Sequence, residues 1–226
     1  MSAAASMNDT IDSQAPGLRE QGVRHRALTP EAIEALLAGA NPQSPDNPFA
    51  GDAARWRNQA AVLLALLVGL RPQEIAALPI RGVGRTKDAA GGRAYCITVP
   101  AADGTQRLVP LPDRAAEALV NYERQHRGTQ GHPFLLGDDG GVPLTPARLR
   151  ADLDRLAARL PEPVLASLQA STGSRQVDFE RLRATAAAHA LAVLSAALGP
   201  EQAEPRVRAL LGLGPDARIW PAGRPD

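Results

Sequence analysis

Apolar residues recur at helical spacing along most of the chain, which predicts a mainly α-helical domain. The first helix has a clear start, because Thr29 is a good N-cap and Pro30 fits the first helical position. The prolines and glycine of 41–51 predict a loop. A second helix over 52–70 is apolar all round in its second half, so we expect it to lie buried at the centre of the fold.

Strand-like alternation is confined to the middle of the sequence. Tyr95, Ile97 and Val99 alternate with Cys96 and Thr98, a pattern typical of a half-buried strand. The dipeptide at 103–104, Asp-Gly, predicts a hairpin turn, 107–111 is predicted as the partner strand, and 82–83 is a candidate third strand. The resulting fold class is α+β, mainly α: a helical bundle with a small antiparallel β-sheet.

The rest of the chain reads as helices and connections. The segment 1–26 is polar and aperiodic and is predicted as a disordered tail, whereas 161–177 is predicted as a long polar connection. Thr145 and Asp178 are predicted N-caps. The further helices are predicted at 72–78, 112–127, 146–160, 178–198 and 205–211.

Charge and composition exclude some classes of protein. The formal net charge of +1 is weak for a nucleic-acid binder. Lys87 is the only lysine among the 25 lysine and arginine residues, so a role in phosphate binding has to be judged for each arginine from its position. The longest apolar run, 60–70, has about half the ~20 residues of a membrane span, and the N-terminus has no signal-peptide pattern. We therefore expect a cytoplasmic protein without a membrane partner. Cys96 is predicted as a buried, inert thiol, and neither a metal site nor a cofactor is predicted.

Five segments match one family in the family's own order. They are 28–39 (LTPEAIEALLAG), 61–78 (AVLLALLVGLRPQEIAAL), 97–119, 133–156 and 182–191 (LRATAAAHAL). Over roughly 27–223 the chain resembles the C-terminal catalytic domain of the tyrosine recombinases, or phage integrases. The resemblance places the first catalytic arginine of the family on Arg71, a nearby acid on Glu74 and the second catalytic arginine on Arg183.

The resemblance implies a known chemistry. Such enzymes break a DNA phosphodiester by attack of a tyrosine hydroxyl on phosphorus, and two arginines stabilise the charge on the phosphate oxygens. A lysine and a histidine move protons. In this chain the hairpin turn at 101–103 contains no lysine, and Lys87 lies well before the first hairpin strand.

The other catalytic positions also depart from the family pattern. Glu180 and Leu213 stand where the family has histidines, and Trp220 is the aromatic residue nearest to the expected tyrosine position. An indole has no ionisable oxygen and cannot form a phosphodiester link. The two tyrosines of the sequence, Tyr95 and Tyr122, lie in a predicted strand and a mid-chain helix. The resemblance therefore implies a phosphate site without its nucleophile.

Each matched residue also has a purely structural interpretation. Arg71 could bond carbonyls at the end of the buried helix, and Glu74 could be a helix-start charge or a partner of Arg71. Arg183 could pair with Glu180, three residues earlier on the same helix. His189, a supporting residue in the resemblance, shares an apolar stripe and is predicted to lie in the core. Four arginines are predicted either to form a DNA-facing edge or to be solvated, namely Arg148, Arg150, Arg155 and Arg159.

Three functions follow from these observations. The leading hypothesis is a degenerate recombinase-like domain that binds DNA weakly through backbone contacts, or binds a full-length recombinase, without cleaving. We expect the N-terminal core-binding domain of the family to be absent, which would favour weak, salt-sensitive binding. The alternatives are an active recombinase with a displaced or trans-supplied tyrosine, and an interaction protein that self-associates through its C-terminal tail.

Overall fold

The computed structural model describes residues 26–87, 91–100, 104–127, 131–138 and 140–214. Helices dominate this part of the chain and one small antiparallel sheet interrupts them, so the predicted mainly helical α+β architecture is confirmed. The helices are α1 (Pro30–Ala40), α2 (Asp52–Leu63), α3 (Pro72–Ala76), α4 (Asp113–Asn121), α5 (Pro146–Ala157), α6 (Glu162–Thr172), α7 (Phe179–Leu198) and α8 (Pro200–Leu211), and the strands are β1 (Val83–Lys87), β2 (Arg93–Pro100) and β3 (Gln106–Leu111).

The three predicted N-caps start their helices as expected. Thr29, Thr145 and Asp178 each have extended backbone, and each side-chain oxygen accepts a hydrogen bond from the N–H three residues later. Each cap satisfies a backbone donor that the first helical turn leaves unpaired. Short polar patterns thus fixed the beginnings of α1, α5 and α7.

The predicted buried helix is central but ends earlier than expected. α2 continues as a π-helical turn, Leu64–Val68, and Gly69 then turns the chain with a left-handed φ of 74°. The side chains of this turn are almost all buried. The sequence predicts an end at about residue 70 with a break at 69–72, and the left-handed Gly69 ends the helix at Val68. The same turn brings Arg71 out of the core.

The sheet has the order β1-β2-β3 with antiparallel neighbours. In β2 and β3, Ile97 pairs with Val109 and Val99 pairs with Arg107, so the two strands form a hairpin as predicted. Gly104 has a φ of 81°, as a tight turn requires, while Asp103 lies outside the described residues. The additional strand predicted at 82–83 is β1, and it is longer than predicted. Its polar residues pair with β2 through the backbone, and they lack the apolar alternation by which a strand is recognised in the sequence. Cys96 is buried in β2, as predicted.

Two helical boundaries in the C-terminal half differ from the prediction. The predicted polar connection 161–177 contains α6, whose Val164, Leu165 and Leu168 pack against the core. Its prolines fall within the first turn, where the missing N–H is harmless, so they start the helix rather than break it. α8 begins at Pro200, five residues before the predicted start, and contains Pro205 in its interior.

Two apolar clusters hold the helices together. The main cluster surrounds α2 and its π-helical continuation. A smaller cluster joins α7 to α8 and is formed by Ala184, Ala187, Val207 and Leu211. Within the described residues no helix is long and apolar enough to cross a membrane. Polar contacts, described next, also attach the end of α8.

Candidate functional site

Arg71 lies at the junction between the buried helix and α3. Its backbone is extended at the N-cap position, and its N–H donates to Oε2 of Glu74 over 2.7 Å, so Glu74 closes the start of the helix. The Arg71 side chain is half-buried, and no described residue accepts a hydrogen bond from its guanidinium. Arg71 therefore does not bond the carbonyls at the end of the buried helix, which was its structural interpretation.

Arg183 makes those carbonyl bonds instead. It lies in the first turns of α7 with 2% of its surface exposed. Its Nη1 donates to the carbonyl of Gly69 and its Nη2 to the carbonyl of Leu211, each over 2.6 Å. One guanidinium thus ties the end of the buried helix to the end of α8, where carbonyls lack helical partners.

The carboxylate nearest to Arg183 is not the one that its helix spacing suggested. Glu180 is exposed, whereas Glu74 lies 3.8 Å from Nη1 of Arg183. Pairing of Arg183 with Glu180 as its main role is therefore wrong. The helix geometry points the two side chains to different environments, one into the core and one to solvent.

Arg107 completes the cluster and was missed by the sequence analysis. From β3 its Nη1 donates to Oε1 of Glu74 over 2.7 Å, and its Nε donates to the carbonyl of Leu210 over 3.2 Å. The available signal was the strand alternation, because Arg107 shares a face with the buried Val109 and Leu111. A charged residue on a buried face requires a partner, and here the partner is Glu74.

The charged groups of this cluster act on the pKa of Arg183. Burial, followed by the charge of Arg71, lowers the pKa of Arg183 to about 10; Glu74 and Glu180 act in the opposite direction, and Arg107 lowers it further. Arg183 is still protonated at neutral pH. Three guanidinium groups (Arg71, Arg107 and Arg183) and the one carboxylate bonded to the cluster (Glu74) have a formal charge of +2, which the exposed Glu180 offsets only in part.

The remaining predicted site residues lie apart from this cluster. Leu213 is half-buried against the α7–α8 cluster, and Trp220 and 101–103 lie outside the described residues. The prediction that His189 is a core residue is wrong, since it is exposed on α7. The second half of α7 is apolar in sequence, but it is only partly covered, and Val193 is 53% exposed. Apolar composition alone therefore misled the prediction.

The hydroxyl of Tyr122 is buried and bonded, and Tyr95 lies in the sheet. Tyr122 is 1% exposed, and its hydroxyl donates to the Gly137 carbonyl over 3.2 Å and accepts from the Gly137 N–H over 3.3 Å. Tyr95 lies in β2 with the guanidinium of Arg85 5.9 Å above its ring. Among the described residues no group of histidine, cysteine, aspartate and glutamate side chains has a metal-binding arrangement.

Substitution of Gly69 tests how tightly the end of α8 packs on this site. A Cβ on Gly69 would lie 2.3 Å from a methyl carbon of Leu211 and 3.3 Å from Cβ of Ala186. We expect Gly69→Ala to lower the free energy of unfolding by about 2–4 kcal/mol, from the left-handed backbone and the overlap together. Gly173→Ala is the matched control, because Gly173 has a φ of 78° and no neighbour within 4 Å. Equal losses in urea unfolding would show that the overlap relaxes freely.

Solved structures identify the fold. The sequence matches no protein-family model and no curated protein. The chain is similar to the XerH site-specific recombinase bound to difH substrate in a pre-cleavage complex (TM-score 0.59, 20% identity, 83% of this chain and 46% of that one). It is also similar to the Tn1549 transposon integrase in complex with transposon right end DNA (TM-score 0.53, 16% identity, 82% and 57%).

The lambda integrase catalytic core gives the most complete overlap among these structures. It matches with a TM-score of 0.50 and 16% identity, covering 87% of this chain and 99% of that one. By contrast, the chain spans only about half the length of the XerH and Tn1549 proteins. The described part of the chain therefore has the fold of a tyrosine-recombinase catalytic domain.

Proposed function

We propose that this protein binds the DNA backbone in a recombination or integration process and does not cut it. The observation that carries the proposal is the convergence of arginines from three distant parts of the chain. Arg71 follows the buried helix, Arg107 comes from β3, Arg183 from α7, and one carboxylate leaves their charge uncompensated. Surplus guanidinium charge in a partly buried setting is what phosphate recognition requires.

Within this site the two predicted arginines have different roles. Arg71 is half-buried with hydrogen-bond donors that no described residue uses, so it is the group that contacts a phosphate oxygen. Arg183 lies beneath it, with Nη1 and Nη2 engaged by main-chain carbonyls. Arg183 adds positive charge from below and fixes the turn that presents Arg71. Both arginines therefore contribute to binding, but only Arg71 meets the ligand directly.

The likeness in fold agrees with a DNA ligand. Of the proteins that share this fold, XerH was determined bound to difH substrate and the Tn1549 integrase in complex with transposon right end DNA. At 16–20% identity this likeness does not carry activity across. The DNA-binding claim for this chain therefore rests on its own arginine cluster, and the shared fold supplies the class of ligand.

The non-cleaving part of the proposal rests on the tyrosines and on Glu180. The hydroxyl of Tyr122 is buried and committed to Gly137, and Tyr95 lies in the sheet beneath Arg85. Glu180, in a position where the related enzymes have a histidine by the sequence resemblance, adds a negative charge close enough to act on Arg183. An acidic side chain beside a phosphate site disfavours the charge that builds up during strand cleavage.

Binding of a fluorescein-labelled duplex at about 50 mM salt tests the proposal. We expect Arg71→Ala to raise the Kd about tenfold, because a hydrogen bond to a charged group contributes about 1.5–3 kcal/mol. Arg93→Ala is the matched control: Arg93 is exposed, and it lies six residues along β2 from the partner of Arg107, about 20 Å away. Equal effects of the two substitutions, or no wild-type binding at this salt, would contradict the proposal.

The same titration on a nicked duplex separates binding from cutting. After incubation with the wild-type chain, denaturing electrophoresis should show free DNA and no covalent protein–DNA adduct. An adduct would overturn the non-cleaving part of the proposal while leaving the binding part intact.

A further inference from the structure

We propose that Arg107 is a second anion-contacting arginine of this site, beside Arg71, and that Glu74 competes with the anion for it. The inference rests on the proposed function and adds to it a binding residue and the residue that restrains it. It starts from the placement of Arg107, which reaches the cluster from β3.

Two of the three guanidinium nitrogens of Arg107 have fixed partners. Nε donates to the carbonyl of Leu210 and Nη1 donates to Oε1 of Glu74. These bonds set the plane of the guanidinium and its orientation. The side chain is 18% exposed, compared with 2% for Arg183, so Arg107 lies nearer to solvent than the arginine below it.

The third nitrogen, Nη2, is the informative one. It is buried and has no hydrogen-bond partner among the described residues. A buried donor without an acceptor is unfavourable, and a charged one more so. An anion oxygen at this position would satisfy Nη2. It would also add negative charge beside three guanidinium groups that a single carboxylate does not balance.

Glu74 is the competitor because its carboxylate already bonds the same guanidinium, through Nη1, and places a negative charge close to Nη2. Its carboxylate bonds Nη1 of Arg107 and lies 3.8 Å from Nη1 of Arg183. A bound anion would be repelled by this carboxylate and would share its partners. Glu74 also accepts the N–H of Arg71, a role that needs an oxygen acceptor but no negative charge.

Two substitutions within one ion pair therefore have opposite effects on anion affinity. Arg107→Gln removes a contacting guanidinium. Glu74→Gln removes the competing charge while its amide oxygen still accepts the Arg71 N–H. If Arg107 served only to hold Glu74 and the end of α8 in place, both substitutions would break the same pair. Both would then change affinity in the same direction.

The test measures duplex Kd by fluorescence anisotropy, and stabilisation by inorganic sulfate by thermal unfolding, for the wild-type chain and both variants. We expect Arg107→Gln to weaken duplex binding about tenfold and Glu74→Gln to strengthen it about threefold. Arg107→Lys, which keeps the charge but not the planar fork, should fall between wild type and Arg107→Gln. The stabilisation by sulfate should follow the same order.

The outcomes separate this inference from the proposed function. Unchanged affinity in Arg107→Gln beside a loss in Arg71→Ala would overturn the inference and leave the proposed function standing. If the wild-type chain bound no DNA, the proposed function would be overturned. The stabilisation of the three variants by inorganic sulfate would still show whether Arg107 contacts an anion. If Arg107→Gln does not fold, Glu74→Gln decides alone: tighter binding supports the inference and weaker binding overturns it.

Discussion

Replacing Arg183 with methionine is expected to lower the free energy of unfolding by about 2–4 kcal/mol. The substitution removes the donors to the carbonyls of Gly69 and Leu211, each bonded over 2.6 Å. Each carbonyl left unpaired in a buried setting costs about 1–3 kcal/mol. Burial of the charge, which lowers the pKa of Arg183 to about 10, is itself unfavourable, and its removal offsets part of the loss.

Urea unfolding of Arg183→Met and Arg183→Lys measures this effect. Lysine keeps the positive charge but has a single terminal nitrogen that cannot span both carbonyls, so we expect a smaller loss than for methionine. A loss below about 0.5 kcal/mol for Arg183→Met would mean that both carbonyls find water. Arg183 would then not be the tie between the buried helix and α8.

Replacing Asp152 with leucine is expected to lower the free energy of unfolding by about 3–5 kcal/mol. Asp152 is 2% exposed in α5 and lies among three arginines. Its Oδ1 accepts from Nε of Arg148 over 3.0 Å and lies 3.9 Å from Nη1 of Arg155, while its Oδ2 lies 3.6 Å from Nη2 of Arg57. Arg57 is 1% exposed, so the substitution removes a carboxylate that lies 3.6 Å from a buried guanidinium.

A double substitution distinguishes a buried ion pair from an ordinary packing defect. Because a buried pair replaced by apolar residues is often neutral, Arg57→Met should restore stability to Asp152→Leu. Asp154→Leu is the control, since Asp154 is exposed on the same helix. If Asp152→Leu were no worse than this control, or if Arg57→Met made it worse, the ion pair would not be the reason for its cost.

Local patterns in the sequence were enough to predict the elements that carry the site. Caps such as Thr29 and Asp178 fix helix starts through short-range hydrogen bonds, and the alternation around Ile97 identifies a strand. The helix α6 was missed because its apolar stripe is short and its prolines look like breakers. Their harmlessness depends on lying in the first turn, which the pattern alone did not show.

The candidate site was only half accessible to sequence reasoning. Arg71 and Arg183 came from a resemblance, and the structure places Glu74 next to both. The sequence did not predict that Arg183 would be structural and Arg71 accessible. That difference depends on the hydrogen bond from Arg183 to the carbonyl of Leu211 in α8, 28 residues further along the chain. Arg107 was missed for the same reason: its partners, Glu74 and Leu210, are 33 and 103 residues away.

The predicted DNA-facing edge of α5 also needs a revised description. Two of its four arginines are committed to one buried carboxylate, Arg148 by a hydrogen bond and Arg155 at longer range. Arg155 lies in addition over the ring of Phe49. Arg150 and Arg159 are exposed, as a solvated helix face requires. The sequence predicted that the four arginines lie on one helix. It did not predict that Asp152 would pair with two of them.

The salt dependence of duplex binding tests the central claim most directly, because it counts phosphate contacts. The logarithm of the association constant falls linearly with the logarithm of the salt concentration, with a slope of about −0.9 for each phosphate neutralised on duplex DNA. We predict that Arg71→Ala has a slope shallower than wild type by about 0.9, while Arg93→Ala keeps the wild-type slope. Parallel lines for wild type and Arg71→Ala would contradict the account, since Arg71 would then make no phosphate contact.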